Sequence, residues 1–415
     1  PMNAVLDVLQ STHQHINRDR LWQSLMDLAK LGATPKGGVC RLALTDLDRK
    51  ARDLFVQWAR EAGCSIRVDA IGNIFARRAG QDDNLPPVMT GSHIDTQPTG
   101  GKFDGCFGVL AGVEVLRTLN DLNIETDAPL EVVVWTNEEG ARFTPAMMGS
   151  AVFTGLLSKQ KVYESTDKQG VTVYSELQRT GQLGETPLAR PFKAYYEAHI
   201  EQGAVLEQNH VAIGVVTGGQ AILWLDVETK GKAAHAGTTP MSMRKDTMVG
   251  SAAMIVELEQ NIRKRFPEGL VTFGEMQVAN SSRNTIPGQI QWTIDLRNPN
   301  DAALKEMEVE TRKILQTLAE HHDLDISISE HWFSPATYFD VACVETVQQA
   351  VDRLGYSNQK IVSGAGHDAI NIAKHCPTTM IFIPCIDGLS HNEAEDVYAL
   401  DAAQGADVLL NAILN

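Results

Sequence analysis

Four short apolar runs in this chain each lead into a small group of histidines and acids. Residues 87–91 (PVMTG) lead into His93 and Asp95, and 130–135 (LEVVVW) into Glu138 and Glu139. Residues 192–199 close on His199 with Glu201 behind it, and 379–385 precede His391 and Glu393. Apolar runs of this length, with helical stretches such as 106–121 between them, read as strands buried on both faces of a mostly parallel sheet in an α/β fold. Open α/β sheets bind ligands outside the carboxyl ends of their strands. Four clusters that are distant in sequence are therefore expected to converge on one site. Asp104, in GGKFDG at the start of helix 106–121, adds a fifth contributor.

The rest of the chain surrounds this pattern. Thr45 and Asp48 form a capping-box pattern ahead of a helix whose apolar face is Ala51, Leu54, Phe55 and Trp58, with Gly63 as its stop. Between 213 and 332 the order changes to strand 222–230, helix about 241–264, strands 270–279 and 289–297, helix 301–322 and strand 325–332. That βαββαβ order is the ferredoxin-like unit. The expected organisation is a discontinuous metal-binding catalytic domain, 1–213 with 333–415, and an inserted smaller domain, 214–332. Gly/Pro/Ser-rich joints lie near 214–220 and 334–336. Residues 155–190 are polar and contain glycines, and no role is assigned to them.

Composition excludes several classes of partner. A chain of 415 residues with a net charge of −16 and no Lys/Arg block lacks the electrostatic footprint for nucleic acid or an anionic membrane surface. No run approaches the roughly 20 apolar residues of a membrane helix. The first twenty residues lack the basic start and apolar stretch of a secretory signal. Six cysteines without C-x-x-C spacing suit reduced thiols, so a cytoplasmic protein is expected.

Three histidines with Asp and Glu, and no Cys among them, form a nitrogen/oxygen donor set suited to zinc, manganese, cobalt or nickel. They exceed what one open catalytic ion needs, whereas two ions sharing a carboxylate would use all of them. The adjacent acids Glu138 and Glu139 suit two tasks, one ligating and one taking a proton. A lone H-x-D or E-E pair is usually solvated, so the weight lies in the joint placement after four strands.

The motifs GSHIDTQPTGGKFDG, TNEEGARF, EAHIEQG, GKAAHAG, RNTIPG, SGAGHDA and SHNEAED resemble the hydantoinase/carbamoylase branch of the M20 metallopeptidase-like amidohydrolases. That branch includes N-carbamoyl-L-amino acid hydrolases, microbial β-ureidopropionases and allantoate amidohydrolases. The resemblance runs from about residue 20 to the C-terminus. It implies a dinuclear catalytic domain with an inserted lid and dimerisation domain, and hence a homodimer. By matching motif it implies that His93 and His199 hold one ion, Glu139 and His391 the other, and that Asp104 bridges them. Asp95 would orient His93, and Glu138 would be the general base. In the lid, His235 resembles the histidine that stabilises the oxyanion, often from the partner subunit, Asn284 a substrate-binding asparagine, and Arg297 the arginine that clamps the substrate carboxylate. By composition alone Arg297 would read as a surface charge on an edge strand. Gln202 and Gln220 are expected near the ureido group, Gly364, Ala365 and Gly366 to offer backbone N–H groups, and His367 and Asp368 to support the site.

The implied reaction is metal-dependent hydrolysis of the ureido C–N bond of an N-carbamoyl amino acid, either an N-carbamoyl-L-amino acid or N-carbamoyl-β-alanine. The dipeptide Gln97-Pro98 resembles the carbamoyl-amino-acid and β-ureidopropionase members more than the allantoate members. The alternatives are allantoate hydrolysis, an aminoacylase or dipeptidase on the same centre, and a metal-free carboxylate-binding protein. The presence of every expected ligand argues against the last of these.

Overall fold

In a computed structural model of the chain, residues 14–415 are described. The first thirteen, which carry most of the stretch read above as lacking a signal, lie outside them. The chain divides into two compact units, one running to Thr217 and resuming at Phe339–Asn415, the other Gly218–Tyr338. The boundaries expected at 213/214 and 332/333 thus fall at 217/218 and 338/339.

The larger unit is built on a nine-stranded sheet. Its order is Ser65–Val68, Ile74–Arg78, Leu130–Val134, Val88–Ser92, Ala194–Ile200, Thr378–Ile383 and Ile213–Gly219, with Asn358–Ser363 also on Ile213–Gly219; the ninth strand, Thr337–Tyr338, pairs with Gly218 and Gly219, and these four residues are the first and last of the smaller unit. The four strands from Leu130–Val134 to Thr378–Ile383 run parallel. The margins are antiparallel, because Ser65–Val68 and Ile74–Arg78 form a hairpin and Ile213–Gly219 runs against Thr378–Ile383. The mostly parallel sheet expected from the sequence is therefore its centre alone. Every residue of Leu130–Val134, Ala194–Ile200 and Thr378–Ile383 is buried, as continuous apolar runs require.

Helix Cys106–Asp121 lies against this centre. Two glycines let it approach. A Cβ on Gly108 would stand 2.2 Å from the carbonyl oxygen of Ala198, and one on Gly112 would stand 2.9 Å from Val132 Cγ1. The approach brings the start of the helix, and Asp104 just before it, to the carboxyl ends of the strands. Helix Asp46–Glu61 begins where the capping pattern predicts. Thr45 Oγ1 accepts from Asp48 N at 3.2 Å, and Asp48 Oδ2 accepts from Leu44 N at 2.8 Å. The unassigned residues 155–190 contain two short helices, Lys159–Tyr163 and Val173–Arg179. Val162, Val173 and Leu177 join Leu44, Ile71, Phe143, Met148 and Val152 in a core of their own.

The smaller unit has a sheet in the order Met276–Val278, Gln289–Asn298, Ala221–Lys230, Asp325–Ser334, antiparallel throughout, with Leu270–Thr272 also on Gln289–Asn298. Along Ala221–Lys230 burial alternates with the period of two of a one-sided sheet. Leu223, Leu225, Val227, Ile290, Trp292, Ile294 and Leu296 form a core with Met254, Leu258 and Ile262 of helix Thr247–Arg265 and with Met307 and Leu315 of helix Asp301–His321. Two sequence expectations change here. The first helix starts at Thr247 rather than near 241, because Asp246 caps it by accepting from Met248 N and Val249 N. The single strand expected over 270–279 is interrupted around Gly274 into Leu270–Thr272 and Met276–Val278.

Leu296 is fully buried in this core, so Leu296→Ala should cost about 2–5 kcal/mol. Hydrogen exchange should show the loss of protection concentrated in residues 218–338, and a uniform loss across both units would contradict separate cores.

Candidate metal centre

The strand ends deliver their polar residues to one place in the larger unit. His93 is the first residue beyond Val88–Ser92, and His199 is the penultimate residue of Ala194–Ile200. Glu138 and Glu139 follow Leu130–Val134 through a turn in which Asn137 takes a left-handed φ of 52°. Asp104 stands at the middle. Its Oδ1 is 3.3 Å from His93 Nε2 and 3.3 Å from His199 Nε2, and its Oδ2 is 3.2 Å from His391 Nε2. His93 Nε2 is also 3.2 Å from Glu138 Oε2, and His391 Nε2 is 3.3 Å from Glu139 Oε2. All six side chains expected to ligate or take the proton are thus together. His93, Asp104, Glu138 and His199 are buried, and the His391 side chain is half exposed.

Proton inventory tests whether this arrangement fits a cation. His93 Nδ1 is 2.9 Å from the carbonyl oxygen of Asp95, and His199 Nδ1 is 2.8 Å from that of Ile200. A carbonyl oxygen only accepts, so each Nδ1 carries a hydrogen, and in the neutral ring each Nε2 presents a lone pair. Both Nε2 atoms are buried without a hydrogen-bond partner. Each faces carboxylate oxygens, so with neutral rings lone pair meets lone pair, a clash that a cation between them or a proton on the ring relieves. The donor set, imidazole nitrogen with carboxylate oxygen, suits a divalent ion at that position. The triads His93–Asp104–His199 and Asp104–Glu139–His391 each bring their ligand atoms within 4.8 Å of one another.

The same demand appears in the electrostatics. Burial alone would raise the Asp104 carboxyl, but the three imidazoles outweigh it and hold Asp104 well below the usual carboxylate range. Asp104 and Glu139 push His391 up to about 10. Glu138 is pushed well above the usual range by its burial, with Glu139, Asp368 and Asp104 adding to the effect and His93 opposing it.

Asp95 meets His93 through its backbone. Its carboxylate is 3.6 Å from His93 Nδ1, too far for a hydrogen bond, and its carbonyl orients the ring instead. Both carboxylate oxygens are taken by the next loop, Oδ1 by Glu138 N at 3.2 Å and Oδ2 by Glu139 N at 3.1 Å. Asp95 therefore ties the two acids to the histidine loop. Gln202, expected at the ureido group, donates from Nε2 to Asp104 Oδ2 and to Ser390 Oγ, each at 2.9 Å. The Ala365 N–H, expected to meet substrate, donates to Ser363 Oγ at 3.3 Å. A Cβ on Gly366 would come 3.2 Å from Met147 Cε. His367 is buried with its ring against His199, centroids 4.4 Å apart, and Asp368 accepts from Ser150 Oγ at 2.6 Å.

Sequence reasoning missed two supports. Gln97 donates to Glu139 Oε2 at 2.9 Å. Glu395 accepts from Phe103 N at 3.1 Å and Asp104 N at 3.0 Å, and burial lifts its carboxyl to about 7. Residues 155–190 also reach the site indirectly. Asp167 and Glu176 grip Arg142, which lies just past the Glu138–Glu139 turn, at 3.1 and 2.9 Å.

The remaining expected residues belong to the smaller unit. His235 pairs with Thr285 across a two-stranded ladder, and Ala236 N donates to Asn284 O at 3.0 Å, so His235 and Asn284 are neighbours. His235 Nδ1 accepts from Gly237 N at 2.9 Å, which leaves the proton of a neutral ring on Nε2. Arg297 is held side-on by Asp295 through Nε at 2.9 Å and Nη2 at 3.0 Å. Gln220 immediately precedes Ala221–Lys230, whose Ile222 pairs with Arg297.

The family profile described as peptidase family M20/M25/M40 matches residues 89–415. The chain belongs to this family. Within it the similarity is to the hydantoinase/carbamoylase branch. An N-carbamoyl-L-amino-acid amidohydrolase of Rhizobium meliloti is 47% identical over 405 residues, 97% of each chain. An allantoate amidohydrolase of Escherichia coli is 32% identical over 94% of this chain and 96% of that one. The crystal structure of a hydantoinase/carbamoylase family amidase from Burkholderia ambifaria, 53% identical, superposes with a TM-score of 0.94 over 97% of this chain and 98% of that one. Among the described residues, no helix is long and apolar enough to cross a membrane.

Gly105 offers a direct test of this M20 site. It has φ +70°, and a Cβ there would stand 2.4 Å from His93 Cε1. Gly105→Ala should displace the imidazole and weaken divalent-ion uptake about 10–100-fold, read by chelator competition. Unchanged affinity in the folded variant would mean that His93 is not a ligand.

Proposed function

We propose that this protein hydrolyses the ureido C–N bond of N-carbamoyl amino acids. One water is consumed and the free amino acid released, and the carbamic acid left behind breaks down to carbon dioxide and ammonia. The reading is carried by one observation: both oxygens of the buried Asp104 face imidazole nitrogens from three separate segments, with the carboxyl of Glu138 beside them. The 47% identity to an N-carbamoyl-L-amino-acid amidohydrolase supports the same substrate class.

In this reading the centre is dinuclear. His93, His199 and Asp104 Oδ1 would hold one ion, and His391, Glu139 and Asp104 Oδ2 the other, zinc fitting best and manganese, cobalt or nickel also suiting the donors. When bound, such a pair polarises a carbonyl and lowers the pKa of water. Glu138 takes the proton from the attacking water and passes it to the leaving amine. Asp95 keeps Glu138 and Glu139 in register by holding both backbone amides.

The substrate contacts rest on the family resemblance. His235, with its proton on Nε2, donates to the developing oxyanion, a contribution of about 3 kcal/mol. Asn284 stands beside it. Arg297 binds the substrate carboxylate, and the planar guanidinium is the side chain best suited to that task. Gln220 and Gly366 are assigned to the substrate by the same resemblance. The smaller unit, with its antiparallel order and two helices, is assigned as a ferredoxin-like lid and dimerisation domain of a homodimer. Six thiols without disulfide partners suit a reducing cytoplasm.

The deciding assay follows ammonia from N-carbamoyl-β-alanine, N-carbamoyl-L-methionine and allantoate, and free methionine from N-acetyl-L-methionine, with zinc or manganese present. Turnover of a carbamoyl substrate is expected, with Glu138→Gln lowering kcat at least about 100-fold. Release from allantoate alone would move the protein to ureide breakdown, and methionine from the acetyl substrate alone would overturn the ureido assignment. Sharing of His235 between subunits has its own test. His235→Ala and Glu138→Gln chains, each inactive, should recover about a quarter of wild-type activity in exchanged dimers. No recovery would place His235 in its own subunit's site.

A further inference from the structure

Asp104 divides the centre into halves that differ in how their ligands are held. On the Oδ1 side, the His93 and His199 side chains are each 1% exposed, and each Nδ1 is anchored on a backbone carbonyl. On the Oδ2 side, the His391 side chain is 49% exposed and its backbone is left-handed, with φ 52°. Among the described residues no hydrogen bond anchors its Nδ1. Second-sphere anchoring of this kind fixes ring orientation and sustains metal affinity, so the Oδ2 half is the poorer in it.

Two glutamine amides stand in its place. Gln202 Nε2 donates to Asp104 Oδ2, and Gln97 Nε2 donates to Glu139 Oε2, both at 2.9 Å. These are the two oxygens that face His391 Nε2. Gln202 Nε2 also donates to Ser390 Oγ at 2.9 Å, which ties the shared carboxylate to the residue before His391. The tie is made from a left-handed backbone, φ 63° at Gln202, a conformation that non-glycine residues resist and that collects at functional sites. No side-chain amide donates to Asp104 Oδ1 or to Glu138 among the described residues.

We propose that Gln97 and Gln202 are positioning residues that assemble a second, weaker cation subsite from His391, Glu139 Oε2 and Asp104 Oδ2, so that the two ions load in order, the His93–His199 half first. Each glutamine fixes a carboxylate rotamer that the exposed, unanchored His391 does not fix for itself. The inference rests on the dinuclear reading above, and it assigns to Gln202 a task at the metal rather than at the ureido group. Its consequence is a protein that keeps one ion and exchanges the other with its surroundings.

The test is a cobalt(II) titration of metal-stripped protein followed by visible absorption, with a competing chelator to set the free-metal level. Wild type should bind two ions in steps separated at least tenfold, and His391→Ala should abolish the weaker step. Gln97→Leu and Gln202→Asn, the latter keeping a residue that tolerates the left-handed backbone, should each move the weaker step about 10–100-fold to higher free cobalt. The tighter step should stay within about threefold, which also shows that the variants fold. Two ions bound with equal affinity, a weaker step indifferent to both glutamines, or both steps shifting together would each overturn the proposal and leave the dinuclear reading intact. A single ion at saturation would overturn both.

Discussion

The larger unit is organised around a carboxylate that water does not reach. Asp104 is 5% exposed, and among the described residues no Lys or Arg pairs with it. A carboxylate in that position is costly unless positive charge is supplied, and among the described residues three imidazoles and the Gln202 amide face it. The histidines come from separate segments whose own backbone carbonyls or loops set their direction. The buried charge therefore ties strand order, helix approach and loop geometry into one condition. Gly108 and Gly112 let the helix come close enough to deliver Asp104, the parallel strand ends deliver His93 and His199, and Asp95 brings the Glu138–Glu139 turn to the same point.

Around that condition the fold is arranged in shells of declining reach. Glu395 holds the Asp104 backbone, Gln97 and Gln202 hold carboxylate oxygens, and Arg142 anchors the acid turn to residues of the 155–190 segment. That segment, featureless by sequence pattern, is thus part of the site's foundation, with a small apolar core of its own. The smaller unit repeats the logic at lower density. Asp295 orients Arg297, Gly237 fixes the tautomer of His235, and a short ladder keeps His235 and Asn284 adjacent.

Much of this was legible in the sequence because strand burial and strand-end chemistry leave local signals. His93, Glu138, Glu139, His199 and His391 each sit within a few residues of an apolar run that periodicity marks as a strand. Signals failed where the deciding contact is distant or small. Gln97 acts on a partner 42 residues away and Glu395 on one 291 residues away, and nothing local distinguishes either from a surface residue. The start of helix Thr247–Arg265 was misplaced because the apolar pattern runs upstream past Asp246, while the capping side chain sets the boundary. Asp95 was located beside His93, but motif spacing reports that a residue is near a histidine and not which of its oxygens does the holding.

The left-handed residues Asn137, Gln202 and His391 carry a lesson about how such a centre could be transplanted. Copying its six ligating and proton-handling side chains onto another parallel sheet would reproduce their identities and not their directions. Three of its loops are turned over by backbone reversals that ordinary residues resist. The chemistry is therefore a property of the whole scaffold. A designer would need to graft the reversals first and choose the side chains second, and a natural lineage could diversify the substrate-facing surfaces far more readily than it could move this centre to a new fold.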